Sequence, residues 1–223
     1  MLATNAQCGQ VLTASLTLNG DLTCTGDGLT MSGTAAIVLN LNGHVISGNG
    51  TGTGVTLSGK SETVQNGVIS GFSFGVNVLG ITGTVTKIRA VYNTSYGIVD
   101  LGTTTKLTTN VVLSSTLIGV YGLGSGSTYT GNQVVSNGLT SGGYGIYVNG
   151  GKTILTSNIT NGNGSFGIYD SGAANTLTKN VANFNGNDGL YVSDLTVVDG
   201  AGNTAKGNNT VQGTEQCFNI VCS

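Results

Sequence analysis

One phrase recurs six times between Ser73 and Val192: a glycine, then Val, Ile or Leu, then a variable residue, reading Gly75-Val76-Asn77, Gly97-Ile98-Val99, Gly119-Val120-Tyr121, Gly145-Ile146-Tyr147, Gly167-Ile168-Tyr169 and Gly189-Leu190-Tyr191. Successive glycines lie 22, 22, 26, 22 and 22 residues apart, and Gly54-Val55-Thr56 begins the series 21 residues earlier. A fixed period of this kind identifies a repeat protein.

Two further rows of mostly polar residues keep the same period. The first row is Asn66, Ile88, Asn110, Asn132, Asn158 and Asn180. The second row, five residues behind it, is Gly71, Asn93, Ser115, Asn137, Asn163 and Asn185. In each of the three rows one step is 26 residues long in place of 22. The same four-residue insertion therefore shifts all three rows, which shows that the unit repeats as a whole.

The 22-residue unit predicts one coil of a β-solenoid. Helical repeats need about 33 residues or more, and the dense leucine pattern of leucine-rich repeats is absent. Short segments such as Thr84-Val85-Thr86 and Thr176-Leu177-Thr178 alternate as strands do. Because parallel crossovers are right-handed, we predict an all-β chain that forms a single right-handed parallel β-helix (solenoid) of about nine or ten coils.

Each of the three rows has a predicted position in such a coil. The Val, Ile or Leu after each repeat glycine is expected to point inward and to stack on its equivalents. The glycine would allow a tight bend or a positive φ. The asparagines would occupy bends in the left-handed conformation, with their amides bonded from coil to coil as an asparagine ladder.

One structural domain is expected, with an N-terminal leader and cap over residues 1–35, coils over residues 36–195, and a last coil with a disulfide cap over residues 196–223. The four cysteines lie only near the ends, which predicts local pairing of Cys8 with Cys24 and of Cys217 with Cys222. A zinc site would need a different spacing and companion histidines. The one histidine, His44, is expected to hydrogen-bond a bend, so no metal site is predicted.

Disulfides form in oxidising compartments, so the protein is predicted to be secreted and to act outside the cell or at its surface. A secreted protein would have lost its leader from this sequence, with Met1 as an added start. Seven Lys and Arg against nine Asp and Glu give a net charge of −2. That balance argues against nucleic acid and anionic membranes as partners. The sequence does not indicate an oligomeric state.

The motif from Leu39 to Gly48, the later Asn66 to Phe72 and the Asn and Gly rows are similar to right-handed parallel β-helix (PbH1) repeat proteins of the pectin-lyase-like superfamily. More closely, they resemble secreted bacterial β-helix proteins with a cysteine at each end of the solenoid. The resemblance covers about residues 8–222 and is specific for the fold. It is weak for function, because that superfamily includes lyases, hydrolases, epimerases, adhesins and inert scaffolds.

If the chain is an enzyme, the resemblance implies a polysaccharide lyase, with calcium as cofactor, or a glycoside hydrolase. Asp100 and Asp170 share one row but stand three coils apart, roughly 14 Å at the usual strand spacing and too far for a carboxylate pair. Asp170 and Asp194 lie one coil apart, with Asp188 or Asp199 nearby, so Asp170, Asp188 and Asp194 are the candidate catalytic residues. The interpretation we favour is that these aspartates are solvated turn carboxylates and that the chain has no catalytic site and no cofactor.

Two outward rows suggest binding. Tyr121, Tyr147, Tyr169 and Tyr191 stand two residues after the repeat glycine, opposite the inward row, and should form a ladder on one outer face. Aromatic rings with phenolic tips suit sugar rings or a partner protein, although such a ladder could also serve stability alone. The row one residue before the glycine is expected to pack in a bend: Phe74, Tyr96, Ile118, Tyr144 and Phe166.

The other outward row is threonine, and it resembles the Thr-x-Thr arrays of some ice-binding proteins: Thr86, Thr108, Thr130, Thr156 and Thr178, with Thr84, Thr128 and Thr176 two residues earlier. Threonine is also simply a favourable strand residue, and Lys106 and Ile154 interrupt the array. The sequence therefore predicts a non-catalytic extracellular scaffold or surface-binding module, with polysaccharide or a protein partner on the tyrosine face. The alternatives are a polysaccharide lyase or hydrolase, a self-assembling scaffold, and an ice-binding protein.

Overall fold

The computed structural model describes residues 6–209 and 216–223, and those residues form short strands and no helix. The strands, in chain order, are β1 (Gln10–Leu12), β2 (Leu16–Thr17), β3 (Leu22–Thr23), β4 (Leu29–Met31), β5 (Val38–Asn40), β6 (Val45–Ser47), β7 (Thr53–Leu57), β8 (Thr63–Ser70), β9 (Phe74–Val78), β10 (Thr84–Val91), β11 (Tyr96–Asp100), β12 (Lys106–Thr108), β13 (Val111–Leu113), β14 (Ile118–Gly122), β15 (Thr128–Thr130), β16 (Gln133–Val135), β17 (Ile146–Val148), β18 (Ile154–Thr156), β19 (Ile168–Asp170), β20 (Thr176–Thr178), β21 (Val181–Asn183), β22 (Leu190–Val192), β23 (Val198–Asp199), β24 (Thr204–Lys206) and β25 (Cys217–Phe218).

Each coil passes through three faces. The first sheet, which we call the aromatic face, has the order β1-β4-β7-β9-β11-β14-β17-β19-β22-β25. The second, the threonine face, has the order β2-β5-β8-β10-β12-β15-β18-β20-β23, and the third face contains β3, β6, β13, β16, β21 and β24. Strands β8 and β10 are long enough to run across the second and third faces. The strand pairs are parallel, and the predicted right-handed parallel β-helix is confirmed, with about nine turns.

The core confirms the inward row. Val76, Ile98, Val120, Ile146, Ile168 and Leu190 are each at most 2% exposed. Each pairs with its equivalent in the next coil, as Val76 does with Ile98 and Ile146 does with Ile168. The row holds this register across the 26-residue step, where Val120 pairs with Ile146. The insertion falls in the corner between the third and aromatic faces and leaves both flanking strands in register.

The repeat glycines are needed for space and not for a positive φ, which corrects one expectation. Gly97 and Gly145 have ordinary backbone angles. A Cβ at Gly97 would lie 2.1 Å from the Val112 side chain, and one at Gly145 would lie 2.6 Å from the Asn163 amide nitrogen. Inward side chains from the third face therefore fill the volume that a larger residue would require.

The left-handed corners also differ from the prediction, because the residue before each asparagine adopts the positive φ. Thr109 (φ 52°) precedes Asn110, and Lys179 (φ 54°) precedes Asn180. A single left-handed residue turns the chain and directs the next side chain inward, so the asparagines themselves are buried.

The predicted polar rows are misaligned by one residue at their first members. Gly67, not Asn66, pairs with Ile88, which places Asn66 (φ 60°) in the corner row. Gly71 (φ 68°) is likewise a corner residue, and the backbone N–H of Phe72 after it donates to Asn93 Oδ1.

Inside the solenoid the asparagines bond from coil to coil in two rows, of which the second is interrupted at Ser115. In the first, the backbone N–H and Nδ2 of Asn132 both donate to Asn158 Oδ1, at 3.1 and 2.9 Å. Asn158 Nδ2 donates to Asn180 Oδ1 at 3.0 Å and to the Tyr129 carbonyl at 2.9 Å. The second row ends at Gln216, whose Oε1 accepts from the Asn208 backbone N–H and Nδ2 at 2.8 and 2.9 Å. The buried amides of Asn132, Asn158 and Asn208 therefore have the partners that burial requires.

The second row is broken at Ser115, where Asn93 Nδ2 and Ser115 Oγ are buried without a hydrogen-bond partner. We expect Ser115→Asn to raise the free energy of unfolding by about 1–2 kcal/mol, because the new amide would accept from Asn93 and donate to Asn137. Thermal unfolding should shift upward by about 2–8 °C. Ser115→Ala is the control, since it removes the unpaired hydroxyl without supplying an amide. Equal melting temperatures for the two variants would contradict the prediction.

Two disulfides close the described ends of the solenoid. Cys8 bonds to Cys24 with a Cα–Cα distance of 5.6 Å, and Cys217 bonds to Cys222 with a Cα–Cα distance of 6.2 Å. The predicted local pairing is confirmed. Among the described residues there is no helix that could cross a membrane.

Candidate functional site

Seven rings form one continuous stack on the outside of the aromatic face: Phe74, Tyr96, Tyr121, Tyr147, Tyr169, Tyr191 and Phe218. Successive centroids lie between 4.7 Å (Tyr191 to Phe218) and 5.5 Å (Phe74 to Tyr96) apart. The interplanar angles run from 8° to 21°. The four predicted tyrosines are thus brought together, and the stack extends beyond them at both ends.

Sequence reasoning missed the second aromatic row, because the residue before each repeat glycine points outward and does not pack in a bend. Tyr144 stacks on Tyr147 at 5.7 Å and on Tyr169 at 5.4 Å. Phe166 is tilted, with its centroid 5.1 Å from that of Tyr191. The cause is a local break in strand alternation, since the repeat glycine and the residue after it both face the core.

The stack changes rows between Tyr96 and Tyr121. Tyr96 belongs to the row before the glycine, whereas Tyr121 belongs to the row two residues after it, where the preceding coil has the small Val99. This change leaves a groove of about 290 Å³ on the outer surface, lined by Phe74, Asn77, Tyr96, Val99, Leu101, Tyr121 and Leu123. Leu101 and Leu123 form one wall and are 43% and 39% exposed.

The aromatic face presents no basic side chain, because no strand of the first sheet contains Lys or Arg. Burial, and then the neighbouring tyrosines, raise the pKa of the Tyr121 and Tyr144 hydroxyls. These phenols therefore remain neutral hydrogen-bond donors at physiological pH.

Asp100 lies inside the solenoid and not in a solvated turn. Its Oδ2 accepts from Ser127 Oγ at 2.8 Å and from the Tyr129 hydroxyl at 2.7 Å, and its Oδ1 accepts from the Gly102 N–H at 3.0 Å. Tyr129 reaches across the core from the threonine face into space left by Gly122, where a Cβ would lie 2.4 Å from the phenol oxygen. Burial raises the pKa of Asp100 although these hydrogen bonds oppose it.

Asp170 is also fully buried, so the expectation of a solvated turn carboxylate is wrong here too. Its Oδ1 accepts from the Gly172 N–H at 3.0 Å and from Asn175 Nδ2 at 2.7 Å, while its Oδ2 is buried without a hydrogen-bond partner. Burial raises the pKa of Asp170 to about 6, and the nearby negative charge of Asp194 adds to the increase.

The other two candidate catalytic residues face outward. Asp194 is partly exposed and its Oδ1 accepts from the Thr196 N–H at 2.8 Å; the Thr196 hydroxyl and N–H lower its pKa. Asp188 precedes a repeat glycine and is partly exposed, and its carbonyl accepts from the Gly167 N–H at 3.2 Å. Asp170 and Asp194 are therefore within electrostatic reach of each other, with Asp170 turned to the core.

His44 contacts a carboxylate side chain: its Nδ1 lies 3.1 Å from Asp21 Oδ1, which also accepts from the Val45 N–H. Within residues 6–209 and 216–223, no group of three or more His, Cys, Asp or Glu side chains could hold a metal ion.

The threonine array is present on the outer side of the second face. Thr86, Thr108, Thr130, Thr156 and Thr178 stand in one register row. The neighbouring row is interrupted by Lys106 and by Ile154, which is 45% exposed. The array is therefore regular in one row only, and ice binding stays a prediction.

No family model matches the sequence, and no curated protein matches it. Solved structures do match. The enzymatically active domain of tailspike protein 2 from bacteriophage CBA120 aligns with a TM-score of 0.72 and 17% identity over 98% of this chain and 41% of that one. An alginate lyase from Paenibacillus aligns with a TM-score of 0.58 and 13% identity, over 98% of this chain and 94% of the lyase. Pectate lyase Pel9A aligns with a TM-score of 0.55 and 15% identity, over 94% of this chain and 73% of the lyase.

This chain shares the parallel β-helix fold with all three proteins. The sequence identities are too low to transfer an activity, and the chain spans well under half of the tailspike domain's length. What the chain does must therefore be argued from its own surface.

Proposed function

We propose that the protein is an extracellular module that binds a polysaccharide along its aromatic face without cleaving it. The observation that carries the proposal is the seven-ring stack, which runs from coil to coil on the outside of a sheet whose strands contain no Lys or Arg. A partly exposed aromatic patch of this extent is typical of an interaction surface.

The stack suits a sugar chain for two physical reasons. Stacked rings cover one another's faces and present their edges, which carry partial positive charge and complement the hydroxyl oxygens of a sugar. The phenol groups add hydrogen-bond donors and acceptors along the helix axis. Because each ring is held by its neighbours, binding would restrict few side-chain rotations, which favours affinity.

The location and the comparisons are compatible with this proposal. Disulfides at both ends fit an oxidising compartment, as outside the cell or at its surface. An alginate lyase and a pectate lyase share the fold, so the scaffold is one on which polysaccharide recognition occurs.

The tyrosine stack supplies the first binding test. We expect Tyr147→Ala and Tyr169→Ala each to weaken retention on an insoluble polysaccharide by about tenfold, because interface aromatics of this kind contribute more than about 1 kcal/mol. Tyr147→Phe keeps the ring and should lose less. Tyr92→Ala is the matched control, since Tyr92 lies on a corner away from the stack and is 66% exposed. Unchanged retention when both stacked tyrosines are replaced would contradict the proposal and leave a protein partner or self-assembly as the role of this face.

Cleavage is the second candidate function, and the raised pKa of Asp170, about 6, favours it because a general acid works best near the operating pH. The burial of Asp170 opposes it, since the carboxyl would have to reach a substrate from the core. Release of unsaturated or reducing ends from a polysaccharide panel, with and without calcium, decides between the two. If the protein releases such ends and Asp170→Asn abolishes the release, the protein is a lyase or a hydrolase and the binding proposal is wrong.

A further inference from the structure

We infer that the groove between Phe74 and Leu123 seats one uncharged sugar residue, and that the aromatic face accordingly selects neutral over acidic polysaccharides. This inference deepens the proposed function and rests on it. Its basis is the shape of the groove, an amide that the fold leaves unsatisfied, and the absence of charge in the lining.

The groove exists because the aromatic stack changes rows at this point. Val99 occupies the place that a tyrosine holds in each of the next four coils, and with Asn77 it forms the floor. Tyr96 and Tyr121 bound the groove on the stack side. Its volume of about 290 Å³ lies at the lower limit of the roughly 300–1,000 Å³ range of small-molecule sites, so it suits one sugar ring rather than several.

The walls match the two sides of a sugar ring. A pyranose has an apolar face of C–H groups and a rim of hydroxyls. Leu101 and Leu123, both partly exposed, offer an apolar wall for the first. Phe74, Tyr96 and Tyr121 stack on one another, so they turn ring edges to the groove, and these edges complement the hydroxyl oxygens of the rim.

Asn77 supplies a polar group that the fold does not use. Its Oδ1 is buried and has no hydrogen-bond partner, a situation that costs about 1–3 kcal/mol. A sugar hydroxyl both donates and accepts, so it can pair with this amide after a rotation of the side chain. Neighbouring coils place Thr56 and Val99 in the same row, which makes the asparagine specific to the groove.

The charge distribution excludes an acidic sugar at this position. A carboxylate taken out of water needs a cation or several donors, and the groove offers no cation: its lining consists of two leucines, a valine, a phenylalanine, the Asn77 amide and two neutral phenols. The basic residues nearest in sequence are Lys106 in β12 and Lys87 and Arg89 in β10, and these strands belong to the other faces. A uronate in the groove would therefore lose hydration without gaining a cationic partner, whereas a neutral hexose needs no such partner.

The tyrosines themselves report on binding. The chain has eight tyrosines and no tryptophan, so its fluorescence comes from tyrosine. The probes are oligosaccharides of glucose, mannose or galactose, compared with oligomers of alginate and of galacturonate at the same ionic strength. We expect neutral oligosaccharides to change the emission and to bind at least about tenfold more tightly than the acidic ones, with little dependence on salt because no ion pair is involved.

Val99→Tyr places a ring in the groove and continues the tyrosine row. We expect this variant to lose about tenfold or more in affinity for neutral oligosaccharides while the thermal unfolding stays cooperative. Ile118→Tyr is the matched control, because it adds the same ring to an outward position in β14 that does not line the groove. Leu123→Asp provides a second disruption at an exposed wall residue, should Val99→Tyr fold poorly.

The outcomes separate this inference from the function on which it rests. Neutral binding that is lost in Val99→Tyr and kept in Ile118→Tyr supports the groove. Equal or tighter binding of acidic oligosaccharides overturns the selectivity and leaves polysaccharide binding intact. Neutral binding that survives both groove variants overturns the groove as the seat. No binding by any oligosaccharide or polysaccharide overturns the inference and the proposed function together.

Discussion

Asn158→Asp is expected to lower the free energy of unfolding by about 3–5 kcal/mol, one of the two largest effects we predict for a single substitution. Asn158 Nδ2 donates to the Tyr129 carbonyl at 2.9 Å and to Asn180 Oδ1 at 3.0 Å. An aspartate would put an acceptor oxygen against both of these acceptors and would bury a negative charge without a counter-charge. Denaturant unfolding measured at neutral pH gives the difference directly.

Asn161→Asp is the matched control for this substitution. Asn161 lies three residues further on, is partly exposed, and uses its Oδ1 only to accept from the Asn183 N–H at 2.8 Å. A carboxylate preserves that bond, so the change in stability should be within about 0.5 kcal/mol. Similar losses in the two variants would mean that the inner asparagine row is not a main source of stability.

Asp170→Asn is expected to stabilise the protein at neutral pH by roughly 3 kcal/mol and to have little effect below about pH 4. Burial raises the pKa of this carboxyl from 3.8 to about 6, so the fold favours its protonated form. The stability that the proton confers is fully present below pH 3.8 and is lost as the pH rises through 6. The asparagine keeps a neutral side chain throughout and avoids that loss.

The measurement is the free energy of unfolding of both proteins from pH 4 to pH 8. Taking the difference at each pH removes the contributions of other titrating groups, including Asp100, whose pKa is also raised by burial. Asp194→Asn is the control, because it removes the neighbouring charge and leaves the buried carboxyl in place. A difference between wild type and Asp170→Asn that does not change with pH would show that Asp170 keeps an ordinary pKa in the folded state.

The period and the inward row were predictable because they depend on repetition alone. Residues such as Ile98 and Ile146 recur at the spacing of a coil, and an apolar residue at every recurrence has to be in the core. The end disulfides were predictable for a similar reason, since the cysteines are close in sequence and occur nowhere else.

The corners could not be predicted from repetition, because a row of identical residues does not reveal its backbone angles. The asparagines were expected to have positive φ, whereas Thr109, Ser157 and Lys179 have it, and none of these residue types favours that conformation. The asparagine after each of these residues has to point its amide into the core. This requirement outweighs the preference of Thr, Ser and Lys for a negative φ. That requirement is a property of the stack and not of any one coil.

The candidate site was predicted in part. The tyrosine row followed from alternation, but the groove did not, because it results from the change of row at Val99. The burial of Asp170 was within reach of the sequence: it stands two residues after the inward Ile168, and alternation places it in the core. We expected a solvated position because the side chain is charged. The structure shows instead that Asp170 follows the alternation of β19 and is buried.

The corner that contains Gly138 to Gly143 shows how this architecture tolerates new sequence. Four extra residues are accommodated there while Tyr121 still pairs with Tyr147 and Thr130 with Thr156. Length variation at a corner is therefore uncoupled from the ladders on either side. The extra residues end immediately before Tyr144 and beside the aromatic face, with Leu139 65% exposed. A longer peptide inserted at this corner would form a rim beside the aromatic face. The binding specificity of that face could therefore change by insertion while the solenoid itself stays the same.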